Sequence, residues 1–363
     1  MKIIKRYILK ETIGPFLAAF VVLSFFFIVF NIIKLADLVI NRGVNFFSVM
    51  KLLLYMLPSV STWTTPISVL VATLLAFGRL SADNEITAMR ASGISLYRLV
   101  LPLIIAGLVI SLISYEFNDW LIPALRFKMR KLTVQIGTKN PAAYLEAGTF
   151  IKDFKGYIVF IYGIDKNKLS NIRIYQPQEG KPTRTIIAQK GEIDYVASKD
   201  AVRLKLINGT VDEPNPQDPN NFYKLNFKTY YMTMDLGKAR DANIQKKKAD
   251  MSIDELNQEI KKLGAESIDT TPLLIEIHKK ICYSFASLIL ILVGVPLGLM
   301  ARRGEKLIGF ALSLGVILIY YSLLIVGEVL AKKGVLFPSL GIWLPNIIFG
   351  AVGPTLIFWM AEQ

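Results

Sequence analysis

The sequence predicts a membrane α-helical protein of six transmembrane helices with an inserted all-β, jellyroll-like domain. Three observations predict it. Hydrophobic residues make up 53% of the 363 positions and charged residues only 19%, an apolar share above that of soluble globular chains. Six apolar runs are long enough to cross a bilayer core as helices, which takes roughly 20 residues each. Between the third and fourth runs, residues 122–277 change character and carry closely spaced β-favouring segments.

The six runs lie near residues 13–33, 52–77, 97–121, 281–300, 307–330 and 338–360. The first follows a basic start (Lys2, Lys5, Arg6, Lys10), as a signal peptide does. It is longer than the apolar part of such a peptide and ends in no small-residue cleavage site, so a retained span is expected. The basic N-terminus, Arg79 and Arg90 after span two, and Arg302, Arg303 and Lys306 after span four favour a cytoplasmic side for these segments and for both termini. Arg42, Lys332 and Lys333 sit in the opposite short loops and weaken that bias.

Residues 122–277 hold 25 Lys+Arg against 19 Asp+Glu, a net of +6, and long domains translocate largely regardless of charge. Strand signals fall at Tyr157–Tyr162, Asn171–Tyr175, Thr185–Ala188, Ala201–Ile207 and Phe222–Met234. Turn signals separate them at Asp165-Lys166-Asn167, Pro177 to Pro182, Asn208-Gly209 and Pro214 to Pro219. Short strands so spaced suggest a sandwich, jellyroll or open barrel. Ser252 and Glu255 have capping-box spacing before an amphipathic run to Leu263, with Gly264 as its stop. The expected division is residues 1–125 for three spans, 126–270 for the β-domain and 271–363 for three more spans.

Chemistry-bearing motifs are missing. No GxxxxGK[ST] occurs, so no phosphate-cradling loop for ATP hydrolysis is predicted. No GxSxG or HExxH is present. One cysteine, Cys282, reads as a buried small hydrophobe, and one histidine, His278, as an interfacial side chain beside Lys279 and Lys280. The net charge of +14 suits anionic lipid rather than nucleic acid, given the apolar runs.

The loop after span two, GRLSADNEITAMRASGISLYRL, carries a short helix signal near 82–92. Ser81 or Asp83 is placed to cap it, Asp83 and Glu85 fall in the first turn, and Gly93 follows its end. Ile86, Met89 and Arg90 share or adjoin the face of Glu85. Such a helix suits a groove on a partner; an ordinary capped loop is the plainer alternative.

These residues carry a resemblance. The sequence resembles the LptF/LptG family of lipopolysaccharide-export permeases along essentially its whole length. The matching stretches are RYILKETIGPF, NIIKLADLVINRGV, FGRLSADNEITAMRASGISLYRL and VGVPLGLMARRGEK. The resemblance implies a heterodimer of F-type and G-type permeases on an LptB ATPase dimer, with contact to LptC through the β-domain. It implies that Asp83, Glu85, Ile86, Met89 and Arg90 form a helix coupling to LptB. ATP would be used by that partner, with no cofactor bound by this chain. Asn41–Val44 and the MLPSV run lean toward the F-type, while Ile33-Lys34 followed by Asp37 also occurs in the G-type pattern.

A lipopolysaccharide permease needs cations near the outer interface for lipid phosphates. Lys34, Arg42, Lys51, Arg126, Lys128 and Arg130 are the candidates, and the family places substrate contacts at the Lys34 end of span one. Each alone reads equally as a side chain snorkelling at a helix end. Pro58 and Pro66, with Ser and Thr around them, mark span two as bendable. Glu116, Asp119 and Glu328 are the acidic groups placed to pair with the rim cations. Other readings are a permease of another lipid or lipoprotein ABC exporter, a lipid-modifying membrane enzyme and a non-transporting scaffold. Lipoprotein-releasing and macrolide-type permeases place four spans around a domain after span one, unlike this layout. A membrane enzyme would need an acid/base or metal cluster, and none is visible.

Overall fold

The computed structural model describes the chain except residues 1, 42, 140–144, 146–147, 152–153, 155, 166, 179–180, 197–200, 215–221, 236–245, 267, 301–305 and 363. Arg42, Arg302, Arg303 and parts of three expected turns therefore lie outside the described residues. The helices are α1 (Lys2–Ile40), α2 (Phe46–Ala82), α3 (Glu85–Ala91), α4 (Leu96–Glu116), α5 (Ile122–Lys139), α6 (Ile253–Ala265), α7 (Thr271–Met300), α8 (Lys306–Lys332) and α9 (Pro338–Glu362). The strands are β1 (Phe150–Ile151), β2 (Ile158–Asp165), β3 (Lys168–Gln178), β4 (Lys181–Val196), β5 (Ala201–Pro214) and β6 (Phe222–Asp235). Among the described residues, six helical runs are long and apolar enough to cross a membrane. Two compact units form. One holds Met1–Val29, Met56–Arg126 and Lys246–Gln363, the other Phe30–Tyr55 and Phe127–Gln245.

In the first unit, α7 is the central helix, with sixteen buried positions along its length. Small residues let its neighbours approach. A Cβ at Gly298 would lie 2.9 Å from Cβ of Phe77 on α2, and one at Gly353 on α9 would lie 2.7 Å from the backbone of Leu292. Close backbone approach at glycine is how spans pack where lipid offers no hydrophobic drive. Cys282 is fully buried, as its composition reading expected. Its Sγ donates to the Ile342 carbonyl at 3.2 Å. Asn346 adds a bond to the Cys282 carbonyl at 3.1 Å and accepts from the Tyr320 hydroxyl at 2.7 Å.

In α2 the two prolines sit inside one continuous helix. Ser61 donates to the Pro58 carbonyl at 2.7 Å and Thr64 to the Val60 carbonyl at 3.2 Å. Side-chain hydroxyls thus bond to the carbonyls around a ladder that proline interrupts.

The third apolar run does not stop at residue 121 as the sequence suggested. A π-helical turn, Phe117–Leu121, joins α4 to α5, with the Ile122 N–H on the Phe117 carbonyl. Pro123 gives the reason. It cannot donate to the Asp119 carbonyl, and its ring crowds that carbonyl, so the ladder widens just before it and the helix continues.

The second unit contains the sheet and a small helical cluster. Val44, Val49, Leu52 and Ile136 are buried together, with Leu35, Leu38 and Met129 against them, which packs the end of α1, the start of α2 and α5.

The sheet is a meander in which each strand pairs antiparallel with the next, β1 to β6. All five expected strand segments are present and longer, and β1 is additional. Sixteen buried residues form one core, from Leu145 before β1 to Met234 in β6. A flat sheet leaves one face open, so this sheet must curl over its own inner face.

The curl has a visible cause. Asn171 and Asn208 adopt left-handed backbone at φ 49° and 54°. Pairing is interrupted there but resumes in the same register: Ile161↔Ile172 and Gly163↔Ser170, then Ala188↔Gly209 and Lys190↔Ile207. The interruptions line up across β2 to β6 through Tyr162, Asn171, Gln189 and Asn208. Inside-outside alternation slips by one at this crease. Ile186 and Ala188 point inward on one side, and Gly191 and Ile193 on the other. Asn208-Gly209 is therefore a crease within β5, not the turn its composition predicted. Asparagine tolerates the left-handed region, and Gly209 is needed because a Cβ there would overlap the Ile187 carbonyl. On the outer face Phe150, Phe160 and Tyr162 stack in sequence, with Arg173 over Tyr162.

After the sheet, α6 starts with the expected capping box. The Glu255 N–H bonds to Ser252 Oγ at 3.2 Å, and the Ser252 N–H to Glu255 Oε2 at 3.1 Å. Leu256 is fully buried and packs with Leu273 and Ile277 of α7. The helix runs one residue past Gly264, which has ordinary helical backbone rather than a left-handed stop.

Candidate functional site

The short helix after span two exists, as α3, but its start differs from expectation. Helix α2 continues to Ala82, so Ser81 and Asp83 are not free to cap. Asn84 takes the capping position in left-handed backbone at φ 56°, with no side-chain cap bond. The Ser81 hydroxyl instead donates to the Leu299 carbonyl of α7 at 3.1 Å. The end matches expectation. Gly93 at φ 84° donates to Arg90 O at 2.9 Å, and Ile94 to Met89 O at 3.1 Å. That double bond pattern is the Schellman closure that glycine makes easy.

The side chains of α3 divide into two faces. Ile86 is buried and Glu85, Met89 and Arg90 are half-buried, against the chain's own helices. Ile86 shares a core with Ile8, Leu80, Leu96, Leu99 and Ile357. Tyr7 of α1 donates its hydroxyl to Glu85 Oε2 at 2.7 Å. Arg90 donates to the Met360 and Ala361 carbonyls at the end of α9, at 3.2 and 3.4 Å. Nearby, Arg79 pairs with Glu11 at 2.6 Å. The apolar side expected to meet a partner is thus turned inward. Asp83, Asn84, Thr87, Ala88 and Ala91 are left exposed. A cleft of about 1080 Å³, open to solvent, runs beside the helix between Asn84, Thr87, Leu299 and Met360.

The basic candidates fall in both units. Lys34, Lys51 and Lys128 are exposed and Arg130 half-buried in the second unit, on the three helix segments joined by the Val44–Ile136 cluster. Lys131 lies 4.5 Å over the Phe127 ring. Arg126 belongs to the first unit, where its Nε donates to Ser59 Oγ at 3.3 Å. Of the acidic groups expected to pair with the rim cations, Glu328 pairs instead with Lys279 at 3.0 Å and Lys332 at 2.6 Å. Asp119 does not; it accepts from the Ile253 N–H at the start of α6, at 2.6 Å. An anion there also complements the helix dipole.

A polar hub around the π-turn escaped the sequence reading. Asn118 is buried; its Oδ1 accepts from Thr62 at 2.9 Å and its Nδ2 donates to Ser284 at 3.0 Å. The Lys280 ammonium, 7% exposed, donates to the Asn118 carbonyl at 3.0 Å. A small cleft opens beside it, lined by Arg126, Glu276, Lys279 and Lys280 with Trp63 and Tyr283. The signal was legible. Asn118 sits in an apolar run, and Lys280 is inside α7 rather than before it, because that helix starts ten residues earlier than its apolar stretch. His278 is likewise within α7 and half-buried. Buried polar groups inside candidate spans are functional candidates by default.

Comparison with known proteins matches this layout. The model of the lipopolysaccharide export system permease LptF/LptG family matches residues 6–361. The chain is 21% identical over 361 residues to the lipopolysaccharide export system permease protein LptF of Escherichia coli (strain K12), covering 98% of this chain and 95% of that protein. LptF of Shigella flexneri shows the same identity and coverage. A Rickettsia prowazekii protein of undescribed role is 26% identical over 206 residues, 56% of this chain and 57% of its own. With six apolar helices around an inserted antiparallel sheet, this multi-pass membrane chain belongs to the lipopolysaccharide export system permease LptF/LptG family.

Proposed function

We propose that the chain is the F-type permease of an inner-membrane ABC exporter that lifts lipopolysaccharide out of the bilayer. The observation that carries this reading is the family match over residues 6–361, joined to the relatives named LptF over 98% of the chain. ATP is hydrolysed by a separate LptB-type dimer, and α3 is the element that meets it, with Asp83, Glu85, Ile86, Met89 and Arg90 at or behind the contact. A G-type sister permease completes the cavity. Helix α1 supports that assembly: among its described residues only Ile8 is buried, while Phe25, Phe26, Phe30 and Ile33 are exposed. So large an apolar face needs lipid or a second permease.

Lys34, Arg42, Lys51, Lys128 and Arg130 receive the phosphates of the lipid head, and Arg126 sits at the neighbouring cleft. ATP-driven movement of α3 narrows the cavity and drives acyl chains toward the β-domain, whose inner face is apolar. That domain lies in the periplasm and hands the lipid to an LptC-type β-bridge, joined through a strand edge.

Replacing Lys34, Arg42 and Lys51 together with glutamine tests the head-group site. Each cation near an anionic lipid surface is worth about 1 kcal/mol. Photocrosslinking of lipopolysaccharide to the purified complex is expected to fall at least about tenfold. Undiminished crosslinking removes these residues from the site.

A further inference from the structure

We infer that Tyr7 and Arg90 are positioning residues for the export step, because they tie α3 to the two terminal spans. The inference rests on the reading of α3 as the element that meets the ATPase. It concerns which of its residues face the partner and which carry the motion inward.

Helix α3 has only seven residues. So short a helix has little stability of its own and holds its place through packing and side-chain bonds. Among the described residues, its long-range side-chain ties both lead away from the exposed face. Glu85 accepts the Tyr7 hydroxyl at 2.7 Å, a charge-assisted bond to α1 across 78 residues of sequence. Arg90 reaches the terminal carbonyls of α9 through two guanidinium nitrogens, across 270 residues. Carbonyls at a helix end have no partner within the helix, and a cation there also meets the negative end of the dipole. Ile86 and Ile8 fill the core between these ties.

The exposed positions Asp83, Thr87, Ala88 and Ala91 are then the ones free to touch a partner. Glu85 and Arg90 act behind them. A push on the exposed face is delivered to α1 through Glu85–Tyr7 and to α9 through Arg90. Without the ties, α3 moves alone and ATP is spent with less lipid released.

The test uses the complete complex with ATPase and sister permease, reconstituted in vesicles, and measures lipopolysaccharide released per ATP hydrolysed. Tyr7→Phe removes one hydroxyl. It is expected to lower that ratio about fivefold or more while the ATPase still co-purifies in full amount. Glu85→Gln keeps a carbonyl oxygen that can accept the Tyr7 hydroxyl and is expected to retain most of the ratio. Glu85→Ala is expected to lose it, and Tyr7→Phe with Glu85→Ala to be no worse than Glu85→Ala alone. Arg90→Lys, which lacks the second donor nitrogen, is expected to fall between wild type and Arg90→Ala.

A normal ratio in Tyr7→Phe overturns the inference. So does a Glu85→Gln as damaged as Glu85→Ala beside a normal Tyr7→Phe, since Glu85 would then act through its charge on the partner. A wild-type complex that releases no lipopolysaccharide on ATP addition overturns the proposed function itself, which separates the two failures.

Discussion

Gly327→Ala is expected to disrupt the packing of α8 on α9 although it adds a single methyl. The two helices touch backbone to backbone here: a Cβ at Gly327 would overlap the carbonyl of Gly341, and one at Gly341 would lie 3.0 Å from the Ala331 Cβ. Neither neighbour is a flexible side-chain end that can swing aside. Overpacking of a tight contact costs about 1–3 kcal/mol and more where backbone must move. Gly315 of the same helix has open space where its Cβ would stand, and there the exchange removes only glycine's flexibility. The expected result is a thermal midpoint several degrees lower for Gly327→Ala, and no loss for Gly315→Ala, in detergent-purified protein. Equal midpoints for the two variants would contradict the close helix crossing.

The second large effect is expected at Lys280. The buried ammonium holds the carbonyl of the π-turn, and Arg126, Glu276 and Lys279 line the same cleft. Lys280→Met keeps the stem and removes the charge and its bond. Without that donor the buried Asn118 carbonyl is left unbonded, and a hydrogen bond from a charged group is worth about 1.5–3 kcal/mol. Asn118→Leu removes two neutral bonds, to Thr62 and Ser284. Such bonds are worth about 0.6–2 kcal/mol each inside a membrane. Both variants are therefore expected to lower the fraction of monodisperse protein surviving a temperature series. An unchanged fraction for Lys280→Met would remove Lys280 as the centre of the hub.

The membrane body was legible because its signal is bulk composition. A run of apolar residues long enough to span must be buried in lipid or protein, whatever its neighbours. Helix ends were less legible. α2 runs through Ser81, and the third span runs through Pro123, because tertiary packing and a widened turn absorb the local breakers. In the sheet, β-favouring runs gave five strands, while their exact lengths and the crease escaped. Two asparagines with ordinary turn propensity sit in line in β3 and β5, on either side of Gln189 in β4, and only pairing shows that they bend one sheet.

The site was legible by type and not by direction. The sequence pattern placed a helix near residues 82–92 and cations near helix ends. It could not show that Glu85 and Arg90 face inward, because which side of a seven-residue helix is covered depends on α1 and α9, which are remote in sequence. Lys280 was read as flanking rather than intramembrane, since the apolar run starts only after it.

The account depends most on the β-domain and α3 lying on opposite sides of the membrane. Cys282 is fully buried, so single cysteines can be added without background labelling. Tyr223 in the sheet and Thr87 in α3 are exposed. A membrane-impermeant maleimide, applied to cells with an intact inner membrane, is predicted to label Tyr223→Cys and to reach Thr87→Cys only after the membrane is opened. Labelling of Thr87→Cys in intact cells, with Tyr223→Cys protected, would contradict the route from bilayer to sheet.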